Sequence, residues 1–236
     1  MRLFSPDKDV KVLLPDGSVR RLSEYLLPSA LLMLGALLLM ISMFLPYWSM
    51  TMNAPQYPEG LRVDVFVNRL EGDMREIDSL NHYLGMPALD EGGQFERSIS
   101  VASIVVLGLL LMAAVFVHNQ WAGILAIPAL TFPLIFLADL WYILYDYGHS
   151  IDPQSALGGA IDPFTPPLLG AGKVGQFGTI SSLEIGFYLA LSAVLVVLAG
   201  LWFHRAAYKP LVEARKIVKA GGISMERSAL SIEHGA

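Results

Sequence analysis

The sequence predicts an all-α membrane protein, a bundle of four transmembrane helices with a small α/β subdomain in its extracytoplasmic loops. Three observations lead there. Of 236 residues, 54% are hydrophobic and only 16% charged, with a mean hydropathy of +0.53; soluble domains carry roughly 25% charged residues. Four apolar runs, about 26–47, 98–117, 121–145 and 183–203, supply the ~20 residues that cross a hydrocarbon core. Between the first two runs lies a long polar segment with the periodicity of folded structure. The chain thus divides into an N-terminal tail (1–26), a membrane bundle (27–204) with outer loops 49–97 and 146–182, and a C-terminal tail (205–236).

Composition removes several function classes. A net charge of −5 argues against nucleic acid as a partner, because phosphate binding needs a basic footprint. The absence of cysteine excludes disulfides, thiolate metal sites and thiol nucleophiles. An outward-facing metal site would have to use Met, His or carboxylate.

The N-terminal tail carries Arg2, Lys8, Lys11, Arg20 and Arg21. Two short apolar runs flank Pro15-Asp16-Gly17, the form of a hairpin. It reads as a cytoplasmic docking element or as a small cap on the helix ends. The apolar run that follows starts too late, is too long and lacks the small-residue cleavage site of a signal peptide. Pro28 falls in the first turn of that helix, where proline is tolerated, and Pro46-Tyr47-Trp48 closes it with interface aromatics. His118-Asn119-Gln120 forms a tight break between the second and third runs.

Lys and Arg set the orientation. Five lie in the N-terminal tail and six in the C-terminal tail, against four in the first long loop and one in the second. Both termini are therefore expected in the cytoplasm and both long loops outside. The C-terminal tail, with its spaced apolar and basic residues, could lie on the headgroups as a helix or simply fray.

In the first loop Leu61, Val63, Val65 and Val67 alternate with Arg62, Asp64, Phe66 and Asn68, which predicts a half-buried strand. A turn is expected at Glu71-Gly72. A helix then follows, with Asp73 as N-cap and Glu76 completing a capping box. Met74, Ile77, Leu80 and Leu84 form its apolar face. Gly85 and Pro87 end it. On another face Asp78, His82 and Met86 stand at i, i+4 and i+8. Asp78 could fix the His82 tautomer, Met86 could add a thioether, and Met50 and Met52 sit at the mouth of the first span. Met and His without Cys suit cuprous copper; one His with one Met is a weak ligand set, and the methionines are more simply explained as flexible filler. A strand and one helix cannot bury a core of their own, so this loop is expected to pack on the second long loop.

That second loop is rich in Gly and Pro, and Ile151-Asp152-Pro153 recurs as Ile161-Asp162-Pro163. Phe164, Pro166, Pro167, Leu168, Leu169 and Phe177 are too apolar for a solvated linker, so it is expected to fold against the bundle mouth or to be partly re-entrant. Gly170-Ala171-Gly172-Lys173 is no phosphate loop: the upstream glycine is missing and valine stands where Ser or Thr should follow. Nucleotide is therefore not an expected ligand. Asp139 is the formal charge well inside a span, with Tyr142 and Asp146 on the same face and Pro128 and Pro133 below. Such a residue marks a proton or ion site, or else a helix-end aspartate bonded to a neighbour.

Ala54-Pro55-Gln56-Tyr57-Pro58-Glu59-Gly60-Leu61, Glu71-Gly72-Asp73, Leu80-Asn81-His82-Tyr83-Leu84-Gly85-Met86, Phe164-Thr165-Pro166-Pro167 and Gly175-Gln176-Phe177 together carry a resemblance. The chain resembles a family of four-span bacterial inner-membrane proteins associated with the accessory genes of nitrous oxide reductase, in the lineage whose reductase is exported by the general secretory route. The resemblance spans all four apolar runs and both outer loops. It implies a non-catalytic role in supporting a periplasmic copper enzyme through copper handling, maturation or electron supply. Partners would be the lipid bilayer and that enzyme or other membrane subunits. It brings no catalytic residues with it. A small proton- or ion-coupled transporter using Asp139 is the alternative, and an electron-transfer subunit with haem (His118, His204) or quinone (near Trp141, Tyr142 and Tyr145) is a third.

Overall fold

The computed structural model describes residues 11–13, 19–21, 23–117, 121–156, 158–174 and 177–208. The C-terminal tail from residue 209 onward, the expected hairpin turn at 14–18 and the break at 118–120 lie outside the described residues, while residues 205–208 of that tail continue the last helix. In the N-terminal tail β1 (Lys11–Leu13) pairs antiparallel with β2 (Val19–Arg21), as the hairpin pattern predicts.

Helix α1 (Ser23–Ser42) then leads into the first long loop. That loop holds β3 (Trp48–Ala54), β4 (Tyr57–Val65), β5 (Leu70–Gly72), helix α2 (Met74–Leu84) and a short 3-10 turn at Leu89–Glu91. Helices α3 (Gln94–Phe116) and α4 (Trp121–His149) follow. The second long loop contributes β6 (Gly170–Val174) and β7 (Phe177–Leu183), and helix α5 occupies Ile185–Tyr208.

Two features correct the expected all-α four-span bundle. The first is a five-stranded antiparallel sheet in the order β5-β4-β3-β7-β6. The second is that three helices, α3, α4 and α5, are long and apolar enough to cross a membrane. The first apolar run is helical and apolar only over Leu26–Ser42, about 26 Å at ~1.5 Å per residue, short of the ~30 Å core. The cause is local. Ser42 Oγ donates to the Leu39 carbonyl at 2.6 Å, Phe44 and Leu45 close a turn on Ile41 and Ser42, and Pro46 cannot continue a helix. Residues from Trp48 onward, placed at the span mouth by the sequence pattern, are strand.

Tyr47 joins the two halves of the molecule. It is fully buried, contrary to its expected place in an interfacial belt. Its ring meets Phe132, Phe136 and Phe187 at 6.1, 4.8 and 6.5 Å, its hydroxyl bonds Ser42 Oγ at 2.6 Å, and burial pushes the phenol up to about 12 against the lowering effect of that bond. Its backbone takes part in the sheet: Tyr47 N–H donates to the Val65 carbonyl and Glu184 N–H to the Tyr47 carbonyl.

The bundle core is built on small residues that let helices approach. Ala36, Ala114, Ala126, Ala190 and Ala193 are buried there with Leu32, Leu39, Ile104 and Leu111. A second core lies under the sheet, where Trp48, Met50, Met52, Leu61, Val63, Val174 and Phe177 meet Ile77 and Leu84 of α2 and Leu140 and Leu144 of α4. Phe136 and Leu183 pack against both. As expected, the second loop folds onto the bundle mouth: Ile151, Ile161, Phe164 and Leu168 pack on the second core, and both copies of the Ile-Asp-Pro echo contribute their isoleucine. Phe164 N–H donates to the Gly148 carbonyl and Trp48 Nε1 to the Leu168 carbonyl at 2.6 Å.

Candidate functional site

The sheet is two-faced because side chains alternate along each strand. Trp48, Met50, Met52, Leu61, Val63, Phe177, Thr179 and Ser181 are buried on one face. Register puts Met50 opposite Val63 and Ser181, and Met52 opposite Leu61 and Thr179. The other face carries a polar network. Ser49 Oγ donates to Glu184 Oε1 at 2.6 Å, and Arg62 bridges Glu184 and Asp64 at 3.0 and 2.8 Å. The bond to Asp64, chiefly, holds the Arg62 guanidinium above its ordinary range.

Helix α2 lies against the apolar face. Asp73 occupies the N-cap position, but its carboxylate makes no cap bond. Instead Asp73 Oδ2 accepts the Arg62 backbone N–H at 2.8 Å, tying the helix start to β4. The expected turn at Glu71-Gly72 is part of β5, and the chain reverses earlier, between Phe66 and Arg69, whose backbones bond each other. There the Arg69 guanidinium sits 3.8 Å over the Phe66 ring. Ile77 and Leu84 are buried as the pattern requires, while Met74 and Leu80 pack at the margin. Gly85 ends the helix in the left-handed region at φ 76.

The candidate metal ligands fall into two places. Met50 and Met52 face inward, in the wall of a cavity between the sheet and the α3–α4 seam. His82 is exposed and lines an open cleft with Met86, Asp152 and Ser155 on the outer side of α2. Asp78 lines a neighbouring depression with His82, and its Oδ1 accepts the Leu89 N–H at 2.8 Å, securing the turn after α2. Among the described residues there is no group of three or more His, Asp or Glu that could hold a metal ion. His82 is the exposed member of the set; Met86 reaches the cleft wall but is buried in the second core, as Met50 and Met52 are.

Asp139 lines the inner cavity together with Glu96. Its expected companions Tyr142 and Asp146 are not among the lining residues. Of the haem candidates, His204 is buried in α5 and His118 lies outside the described residues.

The sequence pattern does not single out Asn81 or Tyr147. Asn81 is 1% exposed on the buried side of α2 and donates through Nδ2 to the Tyr147 hydroxyl. Its Oδ1 has no hydrogen-bond partner, an uncommon state for a buried amide. Thr179 Oγ1 and Ser181 Oγ on β7 are likewise buried without a partner. Both Asn81 and Tyr147 line the inner cavity. A legible trace existed in α3, where Ser100 and Ser103 fall inside the apolar run at helical spacing from Glu96 just before it; all three line the same cavity.

No protein-family model matches the chain, and no curated protein sequence matches it.

Proposed function

We propose that this is a non-catalytic membrane accessory protein of a bacterial inner membrane that supports a periplasmic copper enzyme, nitrous oxide reductase being the one the sequence resemblance implies. The observation that carries the reading is the platform. Two loops separated by two membrane-length helices pair through β3 and β7 into one sheet, with Trp48 opposite Leu183. A sheet braced on one side by the bundle presents a fixed surface, which suits docking better than a flexible loop would. Acids outnumber basic residues in both loops, nine to four in the first and four to one from Asp146 to Glu184. Such a surface favours cations or a basic partner. His82 and Met86 are the side chains on its outer cleft suited to soft metal.

The test is complementation of a deletion strain, reading nitrous oxide reductase activity and the copper content of the purified protein. The His82→Ala, Met86→Ala double variant should reach the membrane at normal level yet lose copper retention or reductase support. Full activity and unchanged copper in that variant would remove the metal role and leave docking. Loss of activity on Asp139→Asn alone, with the double variant intact, would replace the accessory reading with ion-coupled transport.

A further inference from the structure

We propose that the cavity between the sheet and the α3–α4 seam is a binding site for an uncharged membrane amphiphile, a long apolar chain headed by a hydroxyl, with Asn81 and Tyr147 holding that hydroxyl. This inference is independent of the copper-enzyme reading, because it concerns the interior of the molecule and not its outer cleft.

The cavity has a volume of 430 Å³ and is walled by Trp48 and Met52 above, Ile99 and Leu107 on α3, and Phe132 and Leu140 on α4. Along α4 it extends from Tyr147, near the sheet, to Pro128 deep in the bundle, about 28 Å at ~1.5 Å per residue. That shape is long and apolar, the shape of a chain. Ile99 and Ile135 line it and are also exposed on the flanks of two adjoining membrane-length helices. The cavity therefore reaches the apolar surface of the bundle, where a membrane component would enter sideways.

Its upper end holds one buried polar pair with unused hydrogen-bonding capacity. The Asn81 amide is buried and bonded to Tyr147 at one end only. Whichever way the amide is turned, one of its ends and one valence of the Tyr147 hydroxyl remain for a ligand. A hydroxyl both donates and accepts, so it satisfies the pair in either setting. Neither Asn81 nor Tyr147 is a cation, and the Arg97 guanidinium is already committed to the carbonyls of Gly92 and Asp90 at 2.6 and 2.7 Å. Glu96 and Asp139 outnumber Arg97 in the wall and repel a carboxylate or phosphate head, and the Asn81–Tyr147 pair itself carries no charge to neutralise an ionic head seated on it. The head is thus neutral. Two membrane sources carry this chemistry: a reduced isoprenoid quinone and a diacylglycerol.

Native mass spectrometry of the full chain released from detergent tests the site. The probes are decylubiquinol, dioctanoylglycerol, decanoate and dodecane, each titrated against the wild type and Tyr147→Phe. At least one hydroxyl-headed probe should bind at a single site, and which one binds identifies the source. Decanoate and dodecane should bind about tenfold more weakly or worse, and Tyr147→Phe should weaken the hydroxyl probe by about tenfold while leaving dodecane unchanged. Asn81→Leu should act in the same direction, and Tyr147→Phe keeps the test sound if that variant fails to fold. Equal binding of decanoate or dodecane, no binding of either hydroxyl probe, or an unaltered affinity in Tyr147→Phe would overturn the proposal.

Discussion

Single residues fix the joints of this molecule. Gly85 holds φ 76, and a Cβ there would stand 2.2 Å from Ser155 Oγ and 2.7 Å from the Asp152 carbonyl. Gly85→Ala should therefore cost roughly 1–3 kcal/mol, read as a lower thermal unfolding midpoint in detergent. Asp73→Ala should cost about 1 kcal/mol. Its origin is the lost bond to the Arg62 N–H, so the loop between β5 and α2 should become protease-sensitive before the helix itself melts. Gly85 and Asp73 are both legible in the sequence, one as a helix stop and the other as a helix start. Asn81 is not: an asparagine on a short amphipathic helix reads as solvent-facing, and what buries it is a tyrosine 66 positions away. His82 is legible as a candidate ligand, but its separation from Met50 and Met52 depends on which side of α2 meets the sheet.

At the scale of elements, α2 depends on its packing. Ile77 is 1% exposed between the sheet and α4, and Ile77→Ala should cost about 2–4 kcal/mol, measured as accelerated proteolysis of residues 70–90. Unchanged proteolysis would mean that α2 is not seated on the sheet. The helices and the centre of β4 follow from periodicity, because their signals are local; the alternation expected to run on to Asn68 stops at Val65, where the chain reverses through Phe66 to Arg69. The other strands do not. β3 continues an apolar run without a break, so its alternation is hidden by what precedes it. Strands β6 and β7 lie in Gly- and Pro-rich sequence that looks like linker, and they become strands because β3 offers β7 an edge. The length of the first helix is hidden for the same reason, since Phe44 to Trp48 is as apolar as a span while Pro46 and the pairing of β3 with β4 and β7 pull the chain out of helix.

For the whole molecule, the sheet makes a sharp statement about sidedness. Ser79 and Gln154 are exposed on the two loops that meet where Asp152 N–H donates to the Gly85 carbonyl at 2.7 Å. Because the chain has no cysteine, Ser79→Cys and Gln154→Cys report without background. Both should react with an impermeant thiol reagent in intact cells, and Ser228→Cys should not. Opposite behaviour of the first two would mean that the two loops do not share a sheet. Labelling of Ser228→Cys together with silence at the other two would keep the sheet and invert the orientation.

The pairing of β3 with β7 also imposes a schedule on synthesis. Trp48 leaves the ribosome long before its partner Leu183, an interval of roughly seven to thirty seconds at about 5–20 residues per second. Throughout that interval β3 has β4 on one side and an open edge on the other, which is the situation that invites pairing with a foreign strand. α3 and α4 must enter the membrane before the edge can close. A nascent chain stalled before Phe177 should therefore be held by chaperones or degraded, whereas the completed chain, with β7 free to pair, should resist protease.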